Sequence, residues 1–175
     1  QDGTILPGTV RYNVLMGREG TDSEVTEALK KAGVYEKIQS LPMGIDTPLT
    51  KEFDENGTML SGGECQKLLV ARAFAKLAPV AVFDEASSAL DPIAEHELLS
   101  GILQETDGKT RVLISHRLSC VKYADHVLLL EDGRIAEEGT HETLMGKNGK
   151  YEKLYRVQER NYCAVVEGEV IADEN

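Results

Sequence analysis

Apolar residues recur at helical spacing through the first part of the chain and gather into short unbroken runs later on. Thr9 is placed to cap a short helix over Val10 to Met16. Val25, Ala28, Leu29 and Ala32 then follow a 3.6-residue period, which predicts a helix opened by Thr21 or Asp22 and closed by Gly33. A third short helix is expected over Tyr35 to Ser40. Residues 41–59 hold two prolines and two glycines with no sustained period and read as loop. Periodicity resumes after Ser61 and predicts a helix to about Ala78. Leu68, Ala71 and Ala75 form one stripe of it, with Leu69, Ala73 and Leu77 beside them.

The pattern then changes. Val80-Ala81-Val82-Phe83 is too short and too apolar for anything but a buried strand, and its character suits a parallel sheet. A helix over Pro92 to Glu105 presents Leu98, Leu99, Ile102 and Leu103 to a core, and a strand follows over Arg111 to Ser115. Val127–Leu130 and Arg134–Ala136 flank Glu131-Asp132-Gly133, a hairpin signal. A short closing helix starts at Gly149, and the stretch beyond Asn161 carries Glu167, Glu169, Asp173 and Glu174 with no basic residue, as expected of a mobile tail.

Chemistry concentrates between Leu60 and Asp91. Ser61-Gly62-Gly63-Glu64 has the form of a capping box. A purely structural first turn gains nothing from two glycines, since each costs a helix roughly 1 kcal/mol relative to alanine. At a helix N-terminus, however, they let a phosphate approach bare N–H groups. Asp84 and Glu85 follow the apolar run directly, at the strand end that faces the ligand crevice in open α/β sheets. One of the two can hold Mg2+ while its neighbour orients or deprotonates a water. Ser88-Ala89-Leu90-Asp91-Pro92 ends on an N-cap aspartate with proline at the first helical position. Gly108-Lys109-Thr110 has the ending of a phosphate-binding loop, but the required earlier glycine would fall at Leu103 and the segment runs helix–turn–strand, so it reads as a turn.

Composition narrows the class. At 175 residues, with 41% apolar and 28% charged residues, the chain suits one globular domain. A formal charge of −11 argues against a nucleic-acid surface. No run approaches the ~18 apolar residues of a membrane span. Cys65, Cys120 and Cys163 are scattered and odd in number, which suits free thiols in a reducing compartment.

In order and spacing, Leu60-Ser61-Gly62-Gly63-Glu64 resembles the signature of ABC-type ATPases, Val80 to Glu85 their Walker B strand with its catalytic glutamate, and Ser88 to Asp91 their D-loop. Ser115-His116-Arg117-Leu118-Ser119 resembles the switch-histidine segment, and Gln1-Asp2 the opening of the Q-loop. Thr4 to Asn13, Ala124 to Leu144 and Gly149 to Tyr155 follow the pattern of exporter-type members. The resemblance covers residues 1 to about 158. Gly-x-x-x-x-Gly-Lys-Ser/Thr is absent from the sequence. In the family that motif, its strand and the aromatic that stacks on adenine precede the position of Gln1, so the chain looks like the C-terminal two-thirds of a nucleotide-binding domain.

This resemblance implies an α/β fold: an incomplete, P-loop NTPase-like parallel sheet with an inserted α-helical signature subdomain. The helical part would span 1–77, the Walker B, D-loop and H-loop part 78–158, and the acidic tail 159–175. Implied cofactors are ATP and Mg2+. Ser61, Gly62 and Gly63 would bind the γ-phosphate held by a partner domain. Asp84 and Gln1 would serve Mg2+, Glu85 would activate water, His116 would hold the γ-phosphate and Asp91 would couple the two sites. The implied partners are a second nucleotide-binding domain, in a homo- or heterodimer, and the transmembrane domains of an exporter at the cytoplasmic face of the cell membrane. Glu52-Phe53-Asp54-Glu55 lies where such members face those domains. Without the phosphate loop the chain alone is expected to be inactive. Two other readings stand beside this one: a non-catalytic module offering its signature in trans, and a soluble, non-transport ABC ATPase. One edge of the Val80–Phe83 strand is expected to lack its family neighbour, leaving Val82 and Ile114 on an open face.

Overall fold

The computed structural model describes residues 4–49, 57–76, 78–105 and 108–160. Gln1, the acidic segment Glu52–Glu55, Leu77 and the acidic tail from residue 161 lie outside the described residues. The chain divides into two compact units between Ile114 and Ser115.

The first unit begins with helices set by local caps. Thr9 accepts the Tyr12 N–H and starts α1 (Val10–Leu15), which Met16 ends in a left-handed conformation at φ 55°. Thr21 and Glu24 exchange bonds in a capping box at the head of α2 (Asp22–Lys31), and two lysines complement the helix dipole in its last turn. α3 covers Tyr35–Gln39. Within the segment expected to be loop, Gly44–Asp46 forms a 3-10 turn, and Val10 N–H to Thr47 O and Leu49 N–H to Gly8 O tie the loop back to the head of α1. The helix after Ser61, α4, is Gly62–Ala75, shorter than the expected reach to Ala78. Pro79 disfavours helical geometry at Ala78, so the helix does not reach that residue.

α4 is the centre of this unit. Leu68, Val70 and Ala71 are buried against Val10, Val14, Val25, Leu29 and Ile38, and Phe83, Leu90, Leu98 and Ile102 join the same core. A polar node is also buried there. The Asn13 side chain donates to Leu6 O and Thr9 O and accepts from Leu6 N and Arg72 Nη2, while Arg72 Nε donates to the Asn13 carbonyl. Every polar group of the buried amide is thereby satisfied.

β1 (Val80–Asp84) and β2 (Thr110–Ile114) pair in parallel, with Val80 opposite Thr110 and Asp84 opposite Ile114, and α5 (Pro92–Glu105) makes the crossover between them. Alternation sends Ala81, Phe83 and Leu113 to the core. Val80, Val82, Val112 and Ile114 face the other way and are 43–60% exposed. The apolar run, read from the sequence as a buried strand, is therefore covered on one face only. Its open face includes both residues expected there.

In the second unit, β3 (Val127–Glu131) and β4 (Arg134–Gly139) form an antiparallel hairpin with a register shift between Leu129 and Leu130. Asp132 and Gly133, both at positive φ, make the turn. Thr140 caps α6 (His141–Gly146), and a final helix covers 150–160. Val127, Leu144 and Tyr151 form its core. The head of the final helix is capped from the sheet: Glu137 Oε1 accepts the Lys150 N–H. A Cβ on Gly149 would stand 2.6 Å from that carboxylate, so the end of the Glu137 side chain would have to shift to admit one. Among the described residues no helix is long and apolar enough to cross a membrane.

Candidate functional site

β1 delivers Asp84 at its last residue, and Glu85 follows with φ 48°. A glutamate in left-handed geometry costs of order 1–3 kcal/mol and persists only where its surroundings enforce it. Here the Glu85 N–H is held by the Ile114 carbonyl at 2.9 Å, one step past the parallel ladder. The chain then coils tightly, with Ser88 N–H to Glu85 O and Leu90 N–H to Ser87 O, both 3.1 Å. Ser87 Oγ donates to Glu95 Oε1 at 2.7 Å, and both side chains are buried, which fastens the coil to the first turn of α5. Asp91 caps that helix as expected, its Oδ1 accepting the Ile93 and Ala94 N–H groups at 3.0 Å each. The Ala94 N–H, aided by that of Ile93 and the Lys67 ammonium, holds the Asp91 carboxyl below the usual carboxylate range.

The signature turn is built as a reciprocal cap. Ser61 Oγ accepts the Glu64 N–H at 3.3 Å, and Glu64 Oε2 accepts the Ser61 N–H at 2.8 Å. Burial raises the Glu64 pKa, but the Ser61 N–H and the nearby Lys37 ammonium outweigh it and leave the group below its ordinary value. The Cys65 thiol beside it is pushed up, by burial first and by the Glu64 charge second, which makes it a poor nucleophile.

Gly63 has a packing role that sequence reasoning missed. A Cβ on Gly63 would come within 2.9 Å of Leu90 Cδ2 and 3.4 Å of the Ala89 carbonyl oxygen, whereas one on Gly62 would meet only Ala89 Cβ at 3.6 Å. The start of α4 thus lies against the Ser88–Leu90 coil. Ser61, Gly62, Gly63 and Asp91 are brought together, and Asp84 and Glu85 stand at the upstream end of that coil. His116 belongs to the second unit, where its carbonyl accepts from Gln158 Nε2 at 2.7 Å. Gln66, not singled out from the sequence, donates from Nε2 to Ser88 Oγ at 2.6 Å and accepts the Ala89 N–H on Oε1 at 2.9 Å.

The glycine pair gives a contrast that unfolding experiments can read. Gly62→Ala should be neutral or slightly stabilising, since it removes a helix penalty of roughly 1 kcal/mol without a clash. Gly63→Ala carries the same helix gain but overpacks Leu90, so it should be less stable than Gly62→Ala by about 1–3 kcal/mol. Equal urea midpoints for the two variants would contradict this packing.

For an ion beside phosphates, Asp84 has suitable chemistry. Mg2+ is commonly held by one or two carboxylates together with phosphate oxygens and waters. Among the described residues no group of three or more His, Cys, Asp or Glu could hold a metal alone. Asp84 could supply one such carboxylate, with phosphate oxygens and waters completing the coordination.

No family model matches the chain. It is 40% identical over 159 residues to an uncharacterized ABC transporter ATP-binding protein of Sinorhizobium fredii, covering 90% of this chain and 26% of that protein. A Staphylococcus aureus protein, described by its name as an ATP-binding/permease protein of multidrug export, is 41% identical over 159 residues, with 90% and 27% covered. In three dimensions the chain is similar to a bacterial Atm1-family ABC exporter with ATP bound, at a TM-score of 0.81 and 36% identity, covering 91% of this chain and 28% of that one. The chain thus spans about a quarter of the length of the proteins it matches. Matched over nine-tenths of its length to ABC transporter ATP-binding proteins and, in fold, to an ABC exporter, the chain belongs with the ATP-binding domains of exporter-type ABC transporters.

Proposed function

We propose that this chain is the signature and Walker B portion of an ABC exporter ATPase, and that its parent couples ATP binding and hydrolysis to transmembrane transport. The observation that carries this reading is the coil from Glu85 to Asp91. It places a backbone-strained glutamate at a strand end and packs its other end against a glycine-rich helix start. Ser61, Gly62 and Gly63 present N–H groups to the γ-phosphate of a nucleotide seated on a second nucleotide-binding domain. Asp84, with Gln1, serves the Mg2+ that neutralises phosphate charge. Glu85 takes the proton of the attacking water, His116 contacts the γ-phosphate, and Asp91 links the two sites of the dimer. The transmembrane domains of the same transporter are the other partner, at the cytoplasmic face of the membrane.

The test compares the 175-residue chain with the longer protein. Hydrogen bonds to charged groups contribute ~1.5–3 kcal/mol each, and without a phosphate loop several are lost. Calorimetric titration of the chain alone with Mg-ATP should therefore show no micromolar binding, and no hydrolysis should follow. The longer protein should bind and hydrolyse. Micromolar binding by the chain alone would overturn the reading that nucleotide is held through a phosphate loop this chain lacks.

A further inference from the structure

Gly62, Gly63 and Gln66 are spaced three and four apart on α4, so they share one helical face. That face is the one laid against the Ser88–Leu90 coil: Gly62 lies opposite Ala89 and Gly63 opposite Leu90 and the Ala89 carbonyl. Gln66 closes the contact with two complementary bonds, one from its amide nitrogen and one to its amide oxygen. A single side chain therefore ties the helix whose start forms the signature turn to the coil that runs between Glu85 and Asp91. From its other side the same coil is fixed by the Ser87–Glu95 bond and the Asp91 cap. The coil is thus held both to α5 and, through Gln66, to the helix that carries the signature turn.

We propose that Gln66 is a positioning residue for hydrolysis. It locks the Ser88–Leu90 coil to the signature face, so that a phosphate seated on the Ser61–Gly63 turn and the groups at Glu85 and Asp91 belong to one rigid body. Gln66 itself does not touch nucleotide. The inference rests on the functional reading above and names a residue that reading does not use.

Gln66→Leu removes both bonds while keeping the bulk of the side chain. Gln66→Glu keeps the Ala89 N–H bond, which the carboxylate accepts, and loses at most the bond to Ser88. In the full-length protein, Gln66→Leu should lower kcat for ATP about tenfold, as expected for two lost hydrogen bonds, and leave KM within about twofold. Gln66→Glu should recover to within about threefold of the unmodified kcat. By hydrogen exchange, the Ala89 amide should lose protection in Gln66→Leu and keep it in Gln66→Glu. If Gln66→Leu does not fold, Ser88→Ala breaks one of the two bonds and should lower kcat about threefold with KM unchanged.

An unchanged kcat in Gln66→Leu, a change confined to KM, or a Gln66→Glu variant no better than Gln66→Leu would each overturn the proposal. If the unmodified protein hydrolyses no ATP, the functional reading fails and the catalytic part of this inference fails with it. The Ala89 exchange rate then decides the lock itself: faster exchange in Gln66→Leu supports it, and unchanged exchange refutes it.

Discussion

Glu85→Gln in the full-length protein is expected to lower ATP turnover by roughly 10²–10⁴-fold, the range a positioned general base supplies, while nucleotide binding persists. Glutamine matches glutamate in shape and can adopt the same left-handed backbone, so the Glu85 N–H keeps its bond to the Ile114 carbonyl. Only the ability to take a proton is lost. Single-turnover hydrolysis and equilibrium binding, measured side by side, separate the two effects. Turnover at the unmodified rate would remove Glu85 from the role of base. Asp84→Asn should act differently, because an amide oxygen is a weaker Mg2+ ligand than a carboxylate. Its effect should appear as a shift of the Mg2+ dependence to higher concentration.

The second large effect concerns association. Val80, Val82, Val112 and Ile114 form one contiguous apolar face on the β1–β2 pair, each 43–60% exposed. At ~25 cal/mol per Å² of apolar surface, a few hundred Å² of such face corresponds to several kcal/mol. That is comparable with the roughly 5–15 kcal/mol that stabilises an ordinary domain. No lysine or proline interrupts the Val80–Phe83 run to discourage pairing with a second chain. The 175-residue chain should therefore self-associate as its concentration rises, with hydrogen-exchange protection concentrated in the helices between residues 4 and 76. Val82→Lys places a charge on the open face and should shift sedimentation profiles back toward monomer. A strictly monomeric sample with a sharp, concentration-independent thermal transition would refute the prediction.

What the sequence disclosed and what it withheld follow from the range of each interaction. Thr9, Thr21, Ser61 and Asp91 cap helices through bonds spanning two or three residues, so the helix starts were readable from local order. Pro92–Glu105 was bounded correctly for the same reason. The role of Gly63 was only half legible. Its freedom to admit a phosphate is a local property, but its contact with Leu90 joins residues 27 positions apart. Gln66 with Ser88, and Asn13 with Arg72, are likewise pairs that no short window contains. Val80–Phe83 misled in another way. An unbroken apolar run carries no alternation, so it could not reveal that only Ala81 and Phe83 turn to the core.

The backbone at Glu85 also bears on the balance between stability and activity. Glycine or asparagine would sit at φ 48° with less strain than glutamate does, so folding alone favours replacing it. Keeping a carboxylate here therefore costs the fold stability, the trade expected where a side chain is held for chemistry rather than for packing.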